Sequence, residues 1–140
     1  MPERSAIVRL LTIATAAALT GCLSEQTTAT NAALCEANAG HRTRVEITAR
    51  GTVTRVLGVR EGPSGFHEGF LVRVPDCGIV IRVEHNVDLG GSIPLRAGEP
   101  IELRGEYLYD PRGGIVHYTH HDPSGRHPGG YVLAGGETYR

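Results

Sequence analysis

From Arg42 onward the apolar residues recur at every second position and helical spacing is nearly absent, so this stretch can bury a core only by pairing short strands. Val45, Ile47 and Ala49 alternate with Arg44, Glu46 and Thr48, and Gly51-Thr-Val-Thr-Arg-Val-Leu57 continues the strand past a glycine bend. Phe66–Val74 sets Phe70, Val72 and Val74 on one face; Asp76-Cys-Gly78 then reads as a tight hairpin into Ile79, Ile81 and Val83. Val87–Arg96, with Gly90-Gly91 and Pro94, reads as an irregular connection. Pro100–Asp110 alternates again, and Asp110-Pro-Arg-Gly-Gly114 turns it into a fifth strand, Ile115–His120. About five short strands, a bent first one and a long third connection predict an all-β, OB-like Greek-key barrel, with a small β-sandwich as the alternative. The run Leu95-Arg-Ala-Gly-Glu-Pro-Ile-Glu-Leu-Arg-Gly105 also looks like OB-fold modules, in which a tight turn precedes the fourth strand and a glycine ends it.

The first part of the chain obeys different rules. Arg4 and Arg9 precede an apolar run, Leu10–Leu19, with the charge and length of an export signal and too short for a comfortable membrane span. Leu19-Thr20-Gly21-Cys22 follows and resembles the bacterial lipobox, which implies that Cys22 is lipidated. Leu23 stands where an Asp would suggest inner-membrane retention, so the expected address is the outer membrane, facing periplasm or exterior. The chain therefore divides into a signal peptide (1–21), a lipidated tether with a short docking segment (22–41) and a barrel domain (42–140). In an oxidising compartment Cys35 and Cys77 are expected to bridge, pinning the helix candidate Ala32–Ala39 near the 76–78 turn. Neither belongs to a CxxC pair, which argues against a thiolate metal site.

All 14 basic residues are arginine and the formal net charge is -1, without the basic excess that a dedicated nucleic-acid binder uses. The unusual feature is histidine. Four of the seven fall in His117-Tyr-Thr-His-His-Asp-Pro-Ser-Gly-Arg-His127. On a strand His117 and His121 lie about 13 Å apart, too far to share an ion, so a site must draw on the loop. The expected metal set is His85, His121, Asp122 and His127, with Asp88, His117 and His120 as further candidates. Imidazole and carboxylate together suit zinc, manganese, nickel or copper. Arg104, Arg112 and Arg126 are candidates to orient an anion. The same segment also reads as a turn whose Asp122 caps the backbone, with the histidines exposed or hydrogen-bonded.

Three uses follow from these residues. One is an envelope-tethered module that binds a metal or small anion. Another is a metal-dependent phosphodiesterase or nuclease-type hydrolase, with a histidine or Glu106 handling protons and nucleic acid as one substrate class. The third is a structural envelope protein with no site. His85-Asn-Val-Asp-Leu89, Gly105-Glu-Tyr107, Gly113-Gly-Ile-Val-His117 and Thr119-His-His-Asp-Pro-x-Gly-x-His127 resemble the small exported bacterial proteins grouped as domain of unknown function 3465. That resemblance implies a location and a domain boundary, and no activity.

Overall fold

The computed structural model describes residues 29–140; the segments read as an export signal and the first part of a tether, with Cys22, lie outside the described residues. The elements are α1 (Ala32–Ala39), β1 (Val45–Gly62), β2 (Gly65–Val74), β3 (Ile79–Asn86), α2 (Val87–Gly90), β4 (Pro100–Leu108), β5 (Ile115–His117), β6 (Tyr131–Ala134) and β7 (Glu137–Tyr139). Five strands pair in the order β1-β2-β3-β5-β4, and β4 pairs back with β1, which closes the sheet. All these pairings are antiparallel except β3 with β5. Closure through β1 makes a ring of five strands, the small barrel-like all-β fold expected from the sequence.

β1 is long enough to serve two neighbours. Val45–Thr52 pairs with β4 and Thr52–Gly62 with β2. The exchange falls at Gly51, where a Cβ would stand 2.3 Å from the Arg73 carbonyl oxygen, so the bend requires glycine. Alternation fills the interior: Ile47, Ala49, Phe70, Val72, Val74, Ile81, Val83, Leu103, Tyr107 and Val116 are all buried. Leu34 and Ala37 of α1 join them, and Tyr107 Oη donates to Asn38 Oδ1 at 3.0 Å. Cys35 and Cys77 are bonded, with Cα atoms 5.6 Å apart, which fastens α1 to the β2–β3 hairpin.

Three features depart from the strand pattern read above. β1 continues to Gly62, beyond Leu57. β5 stops at His117 and not at His120, because Tyr118 turns the backbone to φ 55° and takes the chain out of the ladder. After the loop, residues 131–134 return as β6 on the edge of β4 that β5 has left, and β7 pairs with β6. The histidine-rich segment is therefore the connection that leaves β4 after one short strand and rejoins it as another.

Candidate functional site

Two glycines let that loop press on the barrel. A Cβ at Gly105 would lie 2.3 Å from the His117 carbonyl oxygen, and one at Gly130 would lie 2.1 Å from that of Tyr118. Gly130 N–H donates to the His120 carbonyl at 2.9 Å, tying the loop's two ends together. The tip is held by Asp122. Its Oδ1 accepts from the Ser124 hydroxyl and amide, and its Oδ2 from the amides of Arg126 and His127. The Ser124 hydroxyl first, with these amides behind it, holds the Asp122 carboxyl well below the usual carboxylate range. Asp122 is thus an anionic cap whose lone pairs are largely engaged within its own turn.

The rings above this turn form an ordered stack. Tyr118 lies 3.9 Å from His117 on one face and 3.9 Å from His127 on the other, with interplanar angles of 20° and 11°. His120 meets His127 edge-on, with centroids 5.2 Å apart. His120 Nδ1 donates to the His121 carbonyl and His127 Nδ1 to that of Pro128, each at 2.8 Å, which leaves both Nε2 atoms as lone-pair acceptors in the neutral rings. No side-chain partner meets His120 Nε2 among the described residues, although the residue as a whole is buried.

Beside the stack, Glu46, Glu106 and His117 form one row across β1, β4 and β5. Glu106 Oε1 accepts from His117 Nε2 at 2.9 Å. Partial burial, with Glu106 directly opposite, pushes the Glu46 carboxyl above its ordinary value. Sequence reading did not single out Glu46, whose significance comes only from β1–β4 pairing.

The four residues expected to form a metal set have separate roles. Asp122 and His127 come together, with His127 Nε2 3.8 Å from Asp122 Oδ2. His121 is exposed. His85 is fully buried, its Nδ1 2.8 Å from the Thr119 hydroxyl and its Nε2 donating to the Gly91 carbonyl at 3.1 Å. Burial above all, with His120 nearby, lowers its pKa, so His85 is a neutral cross-brace with both nitrogens in use. Asp88 accepts from the Phe66 amide and clamps the β1–β2 hairpin to α2. Among the described residues, no group of three or more His, Cys, Asp or Glu converges to hold a metal ion.

The three arginines occupy different surroundings. Arg104 lies on β4 opposite Thr48 and Tyr131; Arg112 pairs with Asp110 in the β4–β5 turn; Arg126 Nε donates to the Ser124 hydroxyl.

A family model described as "Protein of unknown function (DUF3465)" matches residues 17–140. Searches of curated proteins and of solved structures return no match.

Proposed function

Because the chain belongs to the DUF3465 family, whose description carries no activity, we propose on its geometry that it is a small binding module whose ligand, a metal ion or small anion, sits at the histidine-rich rim. The observation that carries this reading is the pre-set ring array. Tyr118 holds His117 and His127 on its two faces, and His120 and His127, each tied through Nδ1 to a carbonyl, keep their Nε2 atoms clear of those bonds on a loop fixed by Asp122 and Gly130. Such rigidity lowers the ordering cost of binding. The barrel serves as scaffold, the usual division of labour for this architecture.

The test is an NMR titration of the untagged domain with zinc chloride, manganese chloride and inorganic phosphate in turn. Saturable shifts confined to residues 117–130 are expected with at least one of them. The absence of any such shift at millimolar ligand contradicts the proposal.

The module is further proposed to hang from a bacterial envelope membrane, on the outer-membrane side suggested by Leu23, through acyl chains on Cys22. The charged start, apolar run and lipobox-like Leu19-Thr-Gly-Cys22 support this. Cys22→Ser should abolish labelled palmitate incorporation in a lipoprotein-processing host; undiminished label would refute the anchor.

One observation favours a second reading, a metal-dependent phosphodiesterase or nuclease-type hydrolase. Glu106 fixes Nε2 of His117 as the proton-bearing nitrogen and leaves Nδ1 free to act as a base. Turnover of chromogenic phosphodiesters or nucleic acid that requires a divalent ion and falls at least a hundredfold in His117→Ala would favour this reading over the binding module.

A further inference from the structure

We infer that His120 and His127 form a two-imidazole site for a divalent transition-metal ion, leaving coordination positions open for water or an anionic co-ligand. The inference rests on the rim-binding reading and names its ligand class. It also reassigns the metal ligands, since His85 and His121 take no part.

The first ground is tautomer. A metal-ligating histidine typically donates its other ring N–H to a carbonyl or carboxylate, which fixes the ring and raises the basicity of the ligating nitrogen. Both rings meet this condition through Nδ1, with carbonyl partners at 2.8 Å.

Spacing is the second ground. With Zn–N bonds of about 2.0–2.1 Å, ring centres about 1.1 Å beyond the nitrogens and a tetrahedral angle between the two bonds, the centroids fall about 5 Å apart. The observed separation is 5.2 Å, with the planes at 84°. His127 is fixed at this spacing by its stack on Tyr118, which His117 backs in turn.

Charge supplies the third. His127 Nε2 lies 3.8 Å from Asp122 Oδ2, although Nδ1–H is already donated to Pro128. In the neutral ring a lone pair then faces a carboxylate, an arrangement that a cation on Nε2 relieves. Asp122 acts as the neighbouring negative charge while it caps its turn, so the site has two protein ligands. Imidazole favours zinc, nickel or copper over magnesium or calcium.

Isothermal titration of the untagged domain with zinc chloride tests the assignment. The expected result is one zinc per chain, with affinity at least tenfold weaker in His120→Ala and in His127→Ala and unchanged in His121→Ala and His41→Ala. Because either ligand variant could loosen the loop, the wild-type protein is also titrated while its imidazole ¹⁵N resonances are followed. Zinc should move Nε2 of residues 120 and 127 and leave the ring of His85 in place. Stoichiometric zinc binding that survives both ligand substitutions, or shifts at other rings alone, overturns the two-imidazole site while the binding module stands. No zinc binding, with phosphate still bound at the rim, overturns the metal ion and again leaves the module; failure of every ligand defeats both.

Discussion

A chain carrying Cys35→Ala and Cys77→Ala should be less stable than the oxidised protein by about 4 kcal/mol, the chain-entropy value for a bridge spanning 42 residues. In a domain of this size that corresponds to a Tm lower by roughly 15–25 °C. The bridge matters because α1 is short and has few other attachments. It is eight residues long, no side chain caps its first turn, and its other anchors are Leu34, Ala37, the Asn38–Tyr107 hydrogen bond and the Arg50 amide on the side chain of its N-cap residue Asn31. Loss of the bridge should release α1 first and uncover Tyr107 beneath it. Urea unfolding of the two proteins in parallel measures this directly, and a difference under 1 kcal/mol would show that the disulfide contributes little to holding the fold.

His85→Ala should cost roughly 3 kcal/mol, since it empties a fully buried site and strands the Thr119 hydroxyl and the Gly91 carbonyl without their partner. His121→Ala, on the exposed side of the same loop, should stay within about 0.5 kcal/mol. The His85 brace also makes stability depend on pH. Its folded pKa is lowered, so the unfolded chain takes up a proton first as pH falls below about 6.5. The contribution is complete above that pH. It is lost progressively from there down to the folded pKa, at no more than about 1.4 kcal/mol per pH unit. His120, also lowered, chiefly by burial, acts in the same direction, so His85→Ala should flatten the slope without abolishing it. Urea midpoints at pH 7.5, 6.5 and 5.5 provide the check; a flat wild-type profile would mean that neither ring is held neutral by the fold.

Much of the barrel is legible in the sequence because period-two alternation is itself the cause of the barrel's inside and outside. Ile47 and Ala49 with the partly buried Val45, or Phe70, Val72 and Val74, share the inner face because successive strand residues point to opposite sides. Gly51 reads as a bend for the same physical reason that it is one, close approach of a second backbone. β6 and β7 are harder to read. They are four and three residues long; the ladder that defines β6 lies on the edge of β4, far away in the chain, and β7 pairs only with β6.

The histidine loop was legible in part. The Asp122-Pro-Ser-Gly turn is local chemistry and reads directly as a cap. The end of β5 does not, because Val116, Tyr118 and Thr119 all suit a strand, and only tertiary contacts around Gly105 and Gly130 set Tyr118 at positive φ. Once the chain turns there, the alternation of His117, Thr119 and His121 no longer applies. His120 and His127 become neighbours, His121 is left in solvent, and His85 closes on Thr119. Spacing along a chain assigns ligands only as far as the strand continues.

The most direct measurement is anomalous diffraction at the zinc edge from crystals of the domain grown with one equivalent of zinc chloride. One peak is expected, about 2 Å from Nε2 of both His120 and His127, with His85 still bonded to Thr119 and Gly91. A peak bound instead by His85 or His121, or no peak at the rim in a well-ordered crystal, would contradict the account.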